Sequence, residues 1–191
     1  KKSNYPDGGA YADILDVGEF PHTLIHPINN YEDLFMLASI KDGLLDKDIE
    51  DVELIIPCMW QQQHDRRFKP GQSFELKLVC NFINDLGFKK VYVFHPHSDS
   101  TEMGIKNFKR LDNANFILKV LEDIKTNYDS TPMLLSTDGG SYKWINKLAS
   151  TIKFNEEVYG ASKARAYDPT INEHKLVQVI DRQDFKGEDV L

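Results

Sequence analysis

Two polar segments of the sequence carry side chains that suit phosphate chemistry. Residues 61–68 read QQQHDRRF, and adjacent guanidinium groups offer the bidentate forks that bind phosphate oxygens. Residues 95–99 read HPHSD, a set of two imidazoles and a carboxylate that can bind phosphate-borne Mg²⁺ or donate hydrogen bonds to the phosphate. The His-x-His spacing also occurs in transition-metal sites, but the lack of a third soft ligand nearby disfavours zinc.

Two further segments add an anion-binding turn and a basic pair. Residues 137–141 read TDGGS, and glycines before a helix expose backbone N–H groups to an anion. Asp138 can hold a metal ion that accompanies that anion. Residues 162–168 read SKARAYD, and in an extended segment Lys163 and Arg165 point to the same side, because side chains there repeat with period two.

Each segment taken alone is also typical of an exposed polar turn. The formal net charge is −7, from 23 basic and 30 acidic residues. Clusters of basic residues are therefore not explained by a general excess of positive charge. The occurrence of all four segments in one acidic protein therefore favours a phosphate site. The same charge argues against a general nucleic-acid binder.

The elements between these segments alternate between strands and helices. Residues 52–56 and 90–94 are short β-branched runs typical of buried strands. Between them, apolar residues at helical spacing predict a helix with Ser73 as its N-cap and Gly87 as its stop. Such a βαβ unit predicts parallel strands with a right-handed crossover.

The same alternation continues along the rest of the chain. The remaining predicted elements are a helix over 31–45 capped by Asn30, a helix over 114–124, a strand over 132–135, a helix over 141–151, and strands at 158–159 and 175–180 joined through a polar segment. The fold class is therefore α/β with mostly parallel sheets, dividing near residue 115. Ligands of such sheets bind at the carboxyl ends of strands, which points to the loops after Ile56, Phe94 and Leu135.

The composition limits the remaining classes of protein. Hydrophobic residues make up 41% of the 191 residues, enough to form a core rather than a disordered chain. The sequence has no apolar run long enough to span a membrane, so no membrane partner is expected. Cys58 and Cys80 lie among apolar neighbours and are predicted to be reduced, buried core residues of a cytoplasmic protein.

The order of the motifs resembles that of the ribose-phosphate diphosphokinase family, the phosphoribosyl-pyrophosphate synthetases. The segments that carry the resemblance, each with the family pattern, are 5–9 (Phe-x-Asp-Gly-Glu), 57–67 (Tyr-x-Arg-Gln-Asp-Arg), 95–99 (Asp-Pro-His-Ser-Asp), 136–140 (Ser-Pro-Asp-x-Gly) and 163–165 (Lys-x-Arg). Residues 71–77, GQSFELK, are similar to a run in phage-type members. The matches keep their order and spacing through nearly the whole chain.

The resemblance implies two phosphoribosyltransferase-like domains, an ATP-binding half over 1–115 and a second half over 116–191. Relative to the family, the chain is expected to be incomplete at both ends, with the sugar-phosphate loop falling beyond Leu191. The implied enzyme is a Mg²⁺-dependent pyrophosphotransferase that moves pyrophosphate from ATP to the C1 hydroxyl of a ribose 5-phosphate group and releases AMP. The implied acceptor is ribose 5-phosphate, or ADP-ribose in a phage pathway of NAD biosynthesis within the host cytoplasm.

The resemblance also implies roles for individual residues. Those roles are adenine binding across a subunit contact for Tyr5 and Asp7, the nucleotide site for Gln63, His64, Asp65 and Arg66, binding of Mg²⁺ for His97 and Asp138, and catalysis for Lys163, Arg165 and His97. Because the adenine-binding pair would serve a neighbouring subunit, the resemblance implies a dimer or hexamer.

The sequence departs from the family pattern at several of these positions. Gly9 replaces a glutamate, Gln63 and His64 replace arginine and glutamine, and His95 replaces an aspartate. These changes leave open a second hypothesis, a catalytically silent regulatory homologue that binds nucleotide or partner subunits. A third is a phosphoribosyltransferase that consumes the activated sugar.

Overall fold

The computed structural model describes residues 1–19, 21–168, 170, 173–181 and 184–191, with the side chains of 164–168 and 173–175 outside the described part. The chain divides into two compact units, Lys1–Asp112 and Asn113–Leu191. The division falls directly before a helix, near the position at which the sequence pattern changes. Each unit is described separately.

The first unit is built on a parallel sheet. Its elements are β1 (Lys2–Asn4), β2 (Ala10–Ala12), β3 (His22–Ile25), α1 (Tyr31–Leu45), β4 (Val52–Ile56), α2 (Glu75–Asp85), β5 (Lys90–Phe94), α3 (Asp99–Gly104) and β6 (Phe108–Leu111). Strands β3, β4, β5 and β6 are neighbours in that order, and all three pairings are parallel. β1 and β2 form a separate antiparallel hairpin.

The core of the first unit explains why β4 and β5 occupy the centre of the sheet. Val52, Leu54 and Ile56 are buried, as are Val91 and Val93 on the neighbouring strand. Apolar residues of α1 and α2 pack onto the same cluster. Burial alternates along both strands, so one face of the sheet packs against the helices, while the other face is only half-buried and carries the Lys90–Glu53 ion pair.

The second unit combines a small parallel pair with a long hairpin. Its elements are α4 (Ala114–Tyr128), β7 (Leu134–Leu135), α5 (Gly139–Ile152), β8 (Val158–Tyr159), β9 (Ala161–Asp168) and β10 (Glu173–Ile180). β7 and β8 pair in parallel, whereas β9 and β10 pair antiparallel. The α/β class with mostly parallel sheets is therefore confirmed.

Helix capping agrees with the sequence at one helix and differs at another. The Asn30 side chain accepts a hydrogen bond from the Asp33 N–H at 2.9 Å and caps α1, as predicted. The prediction of Ser73 as the cap of α2 is wrong, because Phe74 occupies the N-cap position without a side-chain cap bond. Phe74 packs against the core in a non-helical conformation, which delays the start of the helix.

Two other expectations need correction. Cys58 is exposed, because it follows Pro57 where the chain leaves β4, and it is the next residue, Met59, that enters the core. Cys80 is buried as predicted, and burial raises the pKa of its thiol to about 11. The polar segment between 159 and 175 is itself largely strand, because it forms β9 and the start of β10.

Short elements at the edges of the first unit escaped the sequence analysis: β1, β2, β3, α3 and β6. Within the described residues, we found no helix that is both long and apolar enough to cross a bilayer.

The two candidate caps provide a matched test of the fold. We expect Asn30→Ala to lower the free energy of unfolding by about 1 kcal/mol, because the Asp33 N–H loses its acceptor. Ser73→Ala should cost less than about 0.5 kcal/mol, since Ser73 does not cap α2. Urea unfolding followed by circular dichroism measures both, and equal losses would contradict this assignment of the caps.

Candidate functional site

The loops after β4 and β5 leave the sheet at the same edge. The parallel register places Ile56 opposite Val93, so both strands end side by side. A cleft of about 450 Å³ opens there, and its lining residues are Ile28, Asn29, Cys58, Met59, Trp60, Gln61, Gln62, Gln63, His64 and His97. The structure therefore brings together three residues that the sequence had singled out from two loops: Gln63, His64 and His97.

Gln62 ties these two loops together. Its side-chain oxygen accepts a hydrogen bond from the backbone N–H of His97 at 2.8 Å and a second from the Thr101 hydroxyl at 3.3 Å. Its amide nitrogen donates to the carbonyl of Met59 at 3.0 Å. Sequence analysis missed this residue, because a run of three glutamines does not reveal which one contacts a loop 35 positions away.

Each of the two loops contains a residue in the left-handed region of backbone space. Gln61 has φ of 64° and His95 has φ of 42°, and such conformations cost a residue other than glycine roughly 1–3 kcal/mol each. The His95 N–H still donates to the Leu111 carbonyl at 2.7 Å, which extends the pairing with β6. Strain of this kind persists only where surrounding bonds hold it.

His95 stands where the family pattern that the sequence resembles has an aspartate, and it carries no negative charge. Partial desolvation of its imidazole lowers the pKa, and the charges of Arg110 and His97 lower it further. The side chain therefore stays uncharged at neutral pH, so it offers neither the negative charge of the aspartate nor a cation for phosphate.

The carboxylate of the HPHSD segment has a structural role. Arg110 of β6 lies 3.3 Å from the Asp99 carboxylate and 3.1 Å from that of Glu102. Arg110 thereby holds α3 against the edge strand. The expectation that this carboxylate joins the two imidazoles around a phosphate is thus not supported, because Asp99 pairs with a strand that the sequence analysis had missed.

Asp65 and Arg66 lie outside the set of residues that line the first cleft. Asp65 lines a separate cleft of about 430 Å³ together with Lys77 and Asn81. The Arg66 guanidinium lies over the Phe68 ring at 5.4 Å, and its Nε is 3.7 Å from the Asp65 carboxylate. The Arg66 side chain is 72% exposed, so it is free to reorient toward an anion at little energetic cost.

Tyr5 and Asp7 form the turn of the β1–β2 hairpin. The Asp7 carboxylate accepts a hydrogen bond from the Gly9 N–H at 2.9 Å, and Gly8 has φ of 89°, which favours glycine. Tyr5 is 60% exposed, and its ring lies 4.5 Å from that of Tyr11. The hairpin therefore presents the exposed ring of Tyr5, packed on the half-buried Tyr11, next to an acidic turn.

Asp138 caps α5 in the second unit. Its carboxylate accepts the Ser141 N–H at 2.8 Å, while the Ser141 hydroxyl accepts the Asp138 N–H at 3.1 Å, a reciprocal capping box. The backbone hydrogen bond from Ser141 lowers the pKa of Asp138, with smaller contributions from the Ser141 hydroxyl, the Gly140 N–H and the charge of Lys163. The predicted helix thus begins at Gly139, two residues before Ser141.

Lys163 lies in β9 within reach of the charge of Asp138. Its register partner is Gln178, whose side-chain amide donates to the Thr137 carbonyl at 3.0 Å. The hairpin is also joined to the turn by the Ala161 N–H, which donates to the Ser136 carbonyl at 3.1 Å. Sequence analysis missed Gln178, which anchors the hairpin to the turn that carries Asp138.

Arg165 lies two residues further along β9, and its backbone pairs with Leu176. Its side chain lies outside the described residues.

The donor groups fit a metal ion carried by a nucleotide better than one held by protein alone. Among the described residues, no group of three or more His, Cys, Asp or Glu side chains is close enough to hold a metal ion. Mg²⁺ bound to nucleotide phosphates needs only one or two protein carboxylates, since phosphates and water complete its shell. The Asp138 carboxylate is ionised at neutral pH and has further lone pairs beyond the capping bond.

The sequence is similar to enzymes described as ribose-phosphate pyrophosphokinase. The relative from Methanobrevibacter smithii is 22% identical over 156 residues, covering 78% of this chain and 50% of the relative. That from Sulfolobus acidocaldarius is 27% identical over 154 residues, covering 78% and 51%. That from Helicobacter hepaticus is 24% identical over 165 residues, covering 86% and 50%. No family model matches the chain.

The fold is similar to that of a phosphoribosylpyrophosphate synthetase from Mycobacterium smegmatis. The TM-score is 0.69 at 14% identity, with 100% of this chain and 60% of that chain covered. The chain spans about half the length of the curated relatives that it matches. Sequence and fold together support the resemblance to the ribose-phosphate diphosphokinase family, a family of transferases.

The capping role of Asp138 gives the stability of α5 a defined pH dependence. Because its folded pKa lies below the ordinary value of 3.8, its contribution is complete above that value and is lost as pH falls through the folded pKa. We expect Asp138→Ala to lower the free energy of unfolding by about 1 kcal/mol at pH 7, and the difference from the native protein to shrink in acid.

Asp138→Asn is the matched control for this measurement. Its amide oxygen can cap the helix without titrating, so its advantage over the alanine variant should persist at low pH. Urea unfolding at pH 7 and at about pH 2.5 compares the three proteins. If the native protein and the alanine variant differ equally at both pH values, the carboxylate does not provide the cap.

Proposed function

We propose that the protein transfers pyrophosphate from ATP to the C1 hydroxyl of ribose 5-phosphate and releases AMP. The observation that carries this proposal is the cleft at the carboxyl edge of β4 and β5, where Gln63, His64 and His97 meet. Ligands of parallel sheets bind at this edge. Relatives described as ribose-phosphate pyrophosphokinase match most of the chain, and their name supports the choice of reaction.

The proposed reaction breaks one phosphoanhydride bond and forms one phosphoester bond. The oxygen of the C1 hydroxyl attacks the β-phosphorus of ATP, and the bond between that phosphorus and the bridging oxygen of the α-phosphate breaks. AMP leaves with that oxygen, and the proton of the hydroxyl passes to solvent or to a nearby base. Such transfers depend mainly on alignment and on neutralising negative charge.

In the first unit, we assign the nucleotide to the edge cleft. Gln63 and His64 offer amide and imidazole hydrogen bonds to the nucleotide, and His97 stands at the same cleft as a partner for its Mg²⁺. Arg66 is exposed and can turn toward phosphate oxygens. Asp65 is assigned to positioning Arg66, since their charged atoms lie 3.7 Å apart.

In the second unit, we assign Asp138 to the metal ion and Lys163 and Arg165 to the transferring phosphates. Bound Mg²⁺ supplies positive charge to the phosphate oxygens. Lys163 interacts electrostatically with Asp138, which supports assigning both to the same phosphates. A lysine ammonium can follow the phosphoryl group as its charge changes, because its stem is flexible.

Finer features of the proposal rest on the sequence pattern. ADP-ribose is a second candidate acceptor. The family pattern has an arginine where this chain has the shorter Gln63, and this change is compatible with a wider site. The phage-type run at 71–77 favours the same reading. Tyr5 and Asp7 are assigned to the adenine of a neighbouring subunit, because their hairpin turn presents an exposed ring beside a carboxylate.

A regulatory homologue without catalytic activity is the second candidate. The neutral His95, in place of a family aspartate, favours it. Nucleotide binding without turnover would be its signature.

The choice of acceptor is tested by measuring AMP. We expect the full-length protein with ATP and Mg²⁺ to release AMP when ribose 5-phosphate or ADP-ribose is added, and the preferred acceptor to give the higher kcat/KM. Glucose 6-phosphate, a sugar phosphate without a ribose ring, is the control and should give no AMP. Nucleotide binding with no AMP release from either acceptor would instead support the regulatory homologue.

The role of Lys163 is tested by substitution. We expect Lys163→Ala to lower kcat by a factor of roughly 10²–10³, the loss typical of one transition-state contact, with a small change in the KM for ATP. Lys119→Ala, on the exposed surface of α4, is the control and should retain the native rate. A native kcat in the Lys163 variant would remove this residue from the mechanism.

A further inference from the structure

Gln62 makes hydrogen bonds to which the proposed function assigns no role. It belongs to the loop after β4, yet its side-chain oxygen accepts the His97 N–H in the loop after β5 at 2.8 Å. The same oxygen accepts the hydroxyl of Thr101, a residue with no exposed surface. One donor from the second loop and one from α3, which follows that loop, therefore converge on one atom of the first loop.

The other end of the same amide is also held. Its nitrogen donates to the Met59 carbonyl at 3.0 Å, and Met59 is buried and paired by its backbone with Ile28. The plane of the amide is thus fixed from both ends. A side chain held in this way is rigid, and rigid support is what a binding group needs to keep its geometry.

We infer that Gln62 is a positioning residue, which orients the His97 loop relative to the nucleotide loop in the proposed pyrophosphate transfer. The inference rests on the proposed function, because it names the residue that places His97 at the proposed nucleotide site. Gln62 acts through the backbone of His97 and is not itself a catalytic residue.

The backbone conformation on either side supports this role. Gln61, directly before Gln62, has φ of 64°, and His95, two residues before His97, has φ of 42°. Both loops therefore hold a strained residue next to the point where Gln62 joins them. Without this link, each loop would be free to relax toward a commoner conformation, and His97 would move relative to Gln63 and His64.

The first measurement requires no substrate. We expect the His97 amide to exchange with solvent about tenfold faster in Gln62→Met than in the native protein, because methionine fills the space but cannot accept the hydrogen bond. Gln62→Glu keeps an oxygen acceptor for the His97 N–H but loses the donor to the Met59 carbonyl, so it should restore slow exchange only in part. Unchanged exchange in the methionine variant would overturn the inference directly.

Asn84 provides a matched control within the same unit. Its amide also joins two segments, since it donates to the Gly104 carbonyl at 2.9 Å and accepts the Lys106 N–H at 2.7 Å. Asn84→Leu should therefore destabilise the unit while leaving exchange at His97 unchanged. Faster exchange at His97 in this variant would mean that general loosening, rather than Gln62, controls the loop.

The second measurement follows AMP release by the same variants of the full-length protein. We expect Gln62→Met to lower kcat about 10²-fold, the cost of misplacing a reacting group by about 1 Å, with the KM for ATP within about threefold of native. Gln62→Glu should recover part of the rate, since it restores only the bond to His97. Native kcat despite fast exchange at His97 would make Gln62 a structural residue and overturn the inference.

The two measurements separate failure of the inference from failure of the proposed function. If the native protein releases no AMP, the reaction and the catalytic part of the inference are both wrong, whereas amide exchange still decides whether Gln62 holds the loop. If the native protein is active, the variants decide the inference alone.

Discussion

The parallel pairing of β4 with β5 is the constraint on which the first site depends. Ile56 lies opposite Val93, and both are fully buried. A slip of one residue would turn buried side chains toward solvent, so the register is strongly fixed. Because the register fixes where each strand ends, it also fixes the separation of the two loops, which a single glutamine then spans.

The second unit uses a different device to assemble polar groups. There α5 begins with a capping box at Asp138. The β9–β10 hairpin is anchored to the same turn through Gln178. The positive end of the helix favours an ionised carboxylate, which agrees with the lowered pKa of Asp138. The result is an ionised carboxylate that is stabilised in part by the charge of Lys163, the pair to which we assign metal-bound phosphate.

Sequence alone predicted the features that follow from local patterns. The central strands, α1 with its Asn30 cap and the α/β class are confirmed by the structure. The edge strands β3 and β6 were missed because they are short and only half-buried, so their sequences lack the apolar signal. Gln62 was missed because its role depends on a tertiary contact with His97, and no local pattern encodes such a contact.

The central claim is that the carboxyl edge of β4 and β5 binds the phosphates of Mg²⁺-bound ATP. Amide exchange of the full-length protein with and without Mg²⁺ and the non-hydrolysable analogue AMP-PNP tests it most directly. The account predicts slower exchange at residues 60–66 and at 95, 97 and 98, with no change at 49–53 at the opposite edge of the sheet. Protection confined to the opposite edge, or the absence of protection at saturating nucleotide, would contradict it.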